Sequence, residues 1–235
     1  MNYYTHFEIK LILRSKRLKQ VFFLTGYWII FSYLQLVTGN KLLLDSPTCK
    51  LIYYPLLISL PGTYYAQYFS SIEANYINKL LTLPIRLKFI LYWKYMLYCA
   101  ISMVIVLLLL PTLTMGIKPL ELFTYYTLGI GPIFFIAFQS SRWTTKKIDL
   151  SMSVFMNWQG NSIAQYGLIF LFLSIFLGTI AVTSLILPFD KQPVLYLFLL
   201  VFSLIFVVTH RIWLSQLAQN YINHRYKNII QSDEN

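Results

Sequence analysis

Six long stretches without a charged residue dominate this chain, and short charged connectors separate them. The stretches are 20–40, 51–72, 95–117, 122–141, the apolar part of 150–189, and 192–209. Crossing the hydrocarbon core of a bilayer takes about 20 apolar residues of helix. Because no water is present there to satisfy the backbone polar groups, such stretches must be helices rather than open strands. The sequence therefore predicts an all-α polytopic membrane protein with six transmembrane helices.

The connectors alternate in basicity, and this alternation predicts the orientation of the chain. Four segments carry net charges of +4, +3, +2 and +1, in that order: 1–19, 73–94, 142–149 and 210–235. The three connectors between them carry only +1 together. Lys and Arg are retained on the cytoplasmic side of a membrane. We therefore expect a multi-pass protein of the cytoplasmic (inner) membrane whose two termini, the latter a 210–235 tail, are cytoplasmic.

The net charge of +11 and the pI near 9.6 follow from these boundaries. A basic chain often binds nucleic acid. Here the basic residues flank apolar stretches, where they meet anionic lipid. We therefore expect membrane lipids, and no nucleic acid, as partners. No connector is long enough for a separate globular domain, so residues 1–235 are predicted to form a single transmembrane domain.

The absence of charge from the middle of the apolar stretches argues against several classes of membrane protein. Ion-coupled carriers and voltage sensors keep ionisable side chains inside the membrane. Membrane hydrolases and transferases need Ser/His pairs or clustered carboxylates, whereas the eight acidic residues here are scattered. The chain has no GxxxxGK[ST] phosphate loop, and Cys49 and Cys99 have neither metal-site nor disulfide spacing. We therefore expect no catalytic residue, no metal site and no nucleotide site in this chain.

Several polar side chains lie inside the apolar stretches and have two interpretations. The candidates for lining a transport path are Ser59, Thr63, Gln67, Gln139, Thr179 and Thr183. Hydrogen bonding between helices is the common role of such residues in membranes. Lining a path for cargo is the alternative, and the sequence leaves both open.

The first cytoplasmic segment, 1–19, is predicted to be an amphipathic surface helix. Its apolar stripe has helical spacing and consists of Tyr4, Phe7, Leu11 and Leu18. Basic residues lie beside that stripe: Lys10, Arg14 and Arg17. Such a helix lies in the membrane surface with its apolar face buried. The alternative is a basic, disordered N-terminus.

The second cytoplasmic segment, 72–89, is predicted to be a structured hairpin. Ile77, Leu80 and Leu81 form one apolar face of a helix. Pro84 ends or bends that helix, and Arg86 follows the turn. A partner can grip such a hairpin, which would then transmit force to the two transmembrane helices it joins.

This hairpin resembles a loop found in the membrane-spanning subunits of ABC exporters, in the permease class with six spans per subunit. The loop of that class has the form E-R-x-x-x-x-x-L-L-x-x-P-[IV]-x-x-x-x-x-L-x-x-K. The matching residues here are Glu73, Leu80, Leu81, Pro84, Ile85, Leu91 and Lys94. The chain departs from the pattern at Ala74, where Arg is common, and at Asn75, where Gly is common.

The resemblance implies a permease subunit that forms a translocation path as a dimer, with a second copy or a sister permease. Separate ABC ATPase subunits would bind ATP and Mg and would dock under the hairpin and the surface helix. The implied contact residues are Glu73, Ile77, Leu80, Leu81, Pro84 and Arg86. ATP binding would push the hairpins and switch the path outward. The uncharged path candidates favour an amphiphilic cargo over small ions.

A competing class is a self-sufficient membrane channel or a membrane-assembly protein. Neither needs an ATPase. Whether an ATPase co-purifies with the chain separates the two classes.

Overall fold

The computed structural model of the chain describes residues 9–10, 12–38, 47–69, 87–143, 174, 178 and 192–233. This part is helical apart from short turns and contains no strand, as the sequence predicts. The helices are α1 (Lys16–Thr38), α2 (Pro47–Gln67), α3 (Leu87–Leu109), α4 (Pro119–Leu128), α5 (Phe134–Ser140), α6 (Gln192–Val208) and α7 (His210–Asp233). A 3-10 segment, Leu110–Met115, extends α3, and a π-helical segment, Gly129–Ile133, joins α4 to α5.

Two helices in the described part are long and apolar enough to cross a membrane. They are Leu87–Thr114, with 28 residues and a mean hydropathy of 2.4, and Pro119–Ser140, with 22 residues and a mean hydropathy of 1.4. Pro193–Val208 and His210–Asn223 meet at a bend of 51° and make a third candidate if they count as one span. Six spans therefore stay a prediction.

The predicted stretches coincide with helices wherever the structure describes them, but some bounds differ. The stretch 150–189 lies outside the described residues except at 174 and 178. The third helix begins at Leu87, well before the predicted start at Tyr95. Lys94, which the charge pattern places at a membrane boundary, is thus inside the helix. The segment after 209, predicted as a tail, begins with a helix that packs on α3 and α5.

Local sequence signals explain two of the chain's turns. The hydroxyl of Ser15 accepts a hydrogen bond from the backbone N–H of Leu18 at 3.2 Å, which caps α1. Ser15 thereby interrupts the predicted 1–19 surface helix: residues 9, 10 and 12–14 are helical, and Leu18 belongs to α1. At the other turn, Gly116 has a φ of 107° and ends the 3-10 segment, three residues before Pro119 opens α4.

Helix α2 lies at the centre of the described bundle and contacts α1, α3, α4 and α5. Helix α6 packs on α4, and α7 packs on α3 and α5. Two apolar clusters fill the bundle. The Tyr54 cluster joins the N-terminal half of α2 to α4 and α6, and the Trp213 cluster joins the C-terminal half of α2 to α3, α5 and α7. The second cluster surrounds the two helix ends that hold the predicted hairpin.

Candidate functional site

Most of the predicted site residues lie outside the described part of the chain. They are Glu73, Ile77, Leu80, Leu81, Pro84 and Arg86 of the hairpin, Phe7 and Leu11 of the N-terminal segment, and Thr179 and Thr183. Arg14 is described and exposed, and Arg17 lies in the first turn of α1, where only its backbone is described. The structure therefore defines the helix ends on either side of the hairpin rather than the hairpin itself.

Four of the path candidates are described, and two of them bond to nearby backbone. The buried Ser59 hydroxyl donates to the carbonyl of Pro55 at 2.7 Å, and the Thr63 hydroxyl donates to the carbonyl of Ser59 at 2.8 Å. Gln67 is half-buried at the end of α2. The half-buried Gln139 offers its backbone carbonyl to Arg142 Nε at 3.4 Å. The hydroxyls of the two α2 candidates thus bond within their own helix, and their role in a path stays a prediction.

Hydroxyl groups that the sequence interpretation missed join α4 to α6. The Tyr125 and Tyr196 hydroxyls lie 3.1 Å apart. Farther along the same pair of helices, the Ser203 hydroxyl donates to Thr127 Oγ1 at 2.8 Å. All four residues are buried. The signal in the sequence was the hydroxyl-rich run 124–127 in an otherwise apolar stretch, because such side chains hydrogen-bond across helices in membranes.

An acidic residue lies at one end of this hydroxyl contact. Glu121 was interpreted as a connector charge, but its side chain is only 9% exposed. It lies in the first turn of α4, one helical turn before Tyr125. The first turn of a helix favours a carboxylate, because unpaired backbone N–H groups point toward it. This position explains how the chain tolerates a mostly buried acid there.

Lys94 is the main correction to the sequence interpretation. As the last basic residue of segment 73–94, Lys94 is predicted to lie at the membrane boundary, yet its side chain is 1% exposed. Its ammonium nitrogen lies 5.2 Å from the ring centroids of both Tyr65, on α2, and Phe69, directly after α2. The negative faces of aromatic rings attract a cation, most strongly where water is excluded. A buried cation thus joins α3 to the end of α2 from which the hairpin departs.

Glycines allow the central helices to approach closely. A Cβ atom added at Gly131 would lie 2.7 Å from the backbone oxygen of Ser203 on α6. A Cβ atom at Gly62 would lie 2.4 Å from the ring of Phe134. Small residues serve this purpose in membrane helices. The π-helical segment that contains Gly131 therefore fixes the distance between the fourth stretch and α6.

Helix α7 leaves α6 through a bend that is held by side chains. The His210 Nδ1 atom lies 2.6 Å from the carbonyl of Val207, and Trp213 Nε1 donates to the carbonyl of Phe206 at 3.1 Å. The His210 ring stacks on Tyr95 of α3, with 5.0 Å between centroids. These contacts fix the direction of α7 relative to both α6 and α3.

An apolar groove of about 490 Å³ lies between α1 and α2. It is lined by Trp28, Cys49, Ile52, Tyr53, Leu56, Leu57 and Leu60. The Tyr53 hydroxyl at its wall is 2.7 Å from Ser32 Oγ and also donates to the carbonyl of Trp28 at 2.9 Å. Because the wall's polar group is already bonded, the groove suits apolar matter.

A family model described as "Family of unknown function (DUF5687)" matches residues 1–232. The chain belongs to this family. Comparisons with curated proteins and with solved structures gave no match.

The described side chains of this DUF5687 member mainly make contacts between helices. Within the described ranges, no three His, Cys, Asp or Glu side chains lie together as metal ligands. The notable features are instead a buried cation, close helix contacts at glycines, and a C-terminal helix that is packed against the ends of other helices. Such features hold helices together and transmit their displacements.

Proposed function

We propose that this chain is the membrane-spanning permease subunit of an ATP-driven ABC exporter, working as a dimer with separate ATPase subunits. The proposal rests on the 73–94 motif together with the packing of the helices at its two ends. Its last residue, Lys94, is buried against Tyr65 and Phe69, which directly precede the hairpin. Both ends of the hairpin therefore belong to one packed body, so a push on the hairpin reaches the bundle. ATP and Mg would bind to the partner ATPase.

The distribution of side chains supports a membrane location. Exposed positions on α1 and α6 carry large apolar side chains, including Phe23 at 82% and Val208 at 76% exposed. Hydroxyl side chains such as Ser59, Thr127 and Ser203 are instead buried. Water would penalise so large an apolar surface, whereas lipid tails accept it. With the charge pattern of the connectors, this supports six spans, with both termini in the cytoplasm.

The topology is tested by labelling single cysteines from outside the cell, in a chain with Cys49→Ser and Cys99→Ser. We expect a membrane-impermeant maleimide to label a cysteine at position 45 or 190 and not one at position 79 or 147, because the last two lie in the basic segments. Permeabilised cells provide the control, since all four positions should then react. Labelling of position 79 in intact cells would contradict the orientation.

The ATPase is tested by co-purification. We expect an ATPase to co-purify with the tagged chain, and the purified chain alone to hydrolyse no ATP. Leu80→Ser with Leu81→Ser should weaken this association, because the pair removes the hairpin's apolar face. Glu73→Ala and Arg86→Ala should instead retain the ATPase but lower cargo-stimulated hydrolysis. Lys118→Gln, which removes an exposed charge from a connector outside the basic segments, is the control. Robust hydrolysis by the chain alone, or no associated ATPase, would rule the proposal out.

A further inference from the structure

Helix α7 has one buried face although the sequence marks it as a tail. Trp213, Leu214, Leu217 and Ala218 are buried in the Trp213 cluster, whereas Gln216 and Gln219 on the other face are exposed. This arrangement is that of a helix docked along one side. The partners of that buried face therefore indicate what α7 does.

Helix α7 contacts residues from three other parts of the bundle. The ring of Tyr221 contacts Phe69, directly after α2, edge-on, with 6.0 Å between centroids. The Tyr221 hydroxyl lies 2.5 Å from Ser141 Oγ, directly after α5. Near the start of α7, Trp213 packs edge-on against Tyr95 in the first half of α3, at 5.6 Å. One helix thus contacts both flanks of the hairpin and the end of the fourth stretch.

The start of α7 is also joined firmly to α6. Trp213 and His210 bond to carbonyls in the last turn of α6, and the Thr209 hydroxyl donates to the carbonyl of Ile205 at 2.6 Å. A helix rises about 1.5 Å per residue, so Tyr221 lies roughly 16 Å along α7 from the bend. A displacement of Phe69 would therefore turn α6.

We propose that α7 is the element that transmits displacement of the hairpin to α6, with Tyr221 and Trp213 as its positioning residues. This inference rests on the proposed function, because the ATPase supplies the displacement. The packed aromatic contacts transmit the movement because close-packed interiors are not freely compressible. From α6 the movement continues to the fourth stretch, through the Ser203–Thr127 hydrogen bond and the contact at Gly131.

The test uses the complex with its co-purified ATPase and a reporter at the far end of α6. The reporter is Val194→Cys, an exposed position near the start of α6, in a chain with Cys49→Ser and Cys99→Ser. We expect MgATP to change the maleimide labelling rate of this cysteine by about 5-fold or more, because typical coupling between two sites begins at about that factor. Tyr221→Leu should abolish that change while the ATPase stays bound, and Tyr221→Phe should keep most of it. Gln219→Leu, on the exposed face of α7, is the matched control and should behave like the parent chain.

The outcomes separate the inference from the function on which it rests. If no ATPase co-purifies with the parent chain, the proposed function fails and takes the inference with it. If the ATPase binds but MgATP does not change labelling in the parent chain, or if Tyr221→Leu retains the full change, the inference is overturned and the permease proposal stands.

A second pair of variants covers the case in which Tyr221→Leu does not fold. Ser141→Cys with Tyr221→Cys removes the ring contact with Phe69 as well as the hydroxyl contact. A short thiol cross-linker can then join α7 again to the end of the fourth stretch. We expect the MgATP response to be reduced before cross-linking, restored by the cross-link and lost again on reduction. A full response before cross-linking, or none after it, would overturn the inference.

Discussion

Replacing Gly131 by alanine should destabilise the protein, although alanine is ordinarily the better helix former by about 1 kcal/mol. The added Cβ atom would lie 2.7 Å from the backbone oxygen of Ser203, so α6 would have to move away. Gly131 also precedes Pro132, whose ring crowds any preceding side chain. Overpacking of this kind costs about 1–3 kcal/mol. We expect a clear fall in the midpoint of thermal unfolding in detergent.

Gly26→Ala is the matched control for this prediction. Gly26 lies inside α1, and a Cβ atom there would meet nothing within 4 Å. The same chemical change should therefore leave stability unaltered or raise it. Equal midpoints for the two variants would show that the contact between the π-helical segment and α6 does not limit stability.

Replacing Lys94 by glutamine should have the second large effect. The change removes a buried charge from two aromatic faces, each 5.2 Å away, and a desolvated cation–π contact is worth about 2 kcal/mol. We expect a lower unfolding midpoint and faster proteolysis between α2 and α3, because the flanks of the hairpin separate. Limited proteolysis followed by mass spectrometry locates the cleavage.

Lys88→Gln removes the same charge from the same helix at an exposed position, so it should change neither stability nor cleavage. If Lys94→Gln unfolds and is cleaved like Lys88→Gln, the buried ammonium does not hold the two helices together.

The helices could be predicted from the sequence because continuous apolarity is a local property. The start of α3 could not be predicted, because a lysine beside an apolar stretch usually marks a membrane boundary and Lys94 does not. Its burial depends on Tyr65 and Phe69, which reach it only after α2 and α3 pack together. The contact at Gly131 likewise depends on α6, which is distant in sequence. The sequence shows glycine and proline in the π-helical segment, but it does not show which helix packs against them.

The docking of α7 was predictable in part. Trp213, Leu214, Leu217 and Ala218 have the spacing of one helical face, and Tyr221 continues it. The polar and charged residues of segment 210–235 dilute this pattern over the segment as a whole. The identity of the docking surface was not predictable, because aromatic rings from three other helices complete it. The prediction of an ATPase-coupled permease depends on the hairpin residues, so the experiments on those residues test it most directly.

The bend after Val208 also sets an order of events during synthesis. A chain is made from its N-terminus, and its parts begin to associate before the last residues emerge. The aromatic rings of α3 and α5 cannot be covered until Trp213 and Leu217 have been made, since those side chains belong to the same cluster. Chains that stop before residue 213 would leave this surface open. The packing of α7 is thus the step that distinguishes a finished bundle from a truncated one.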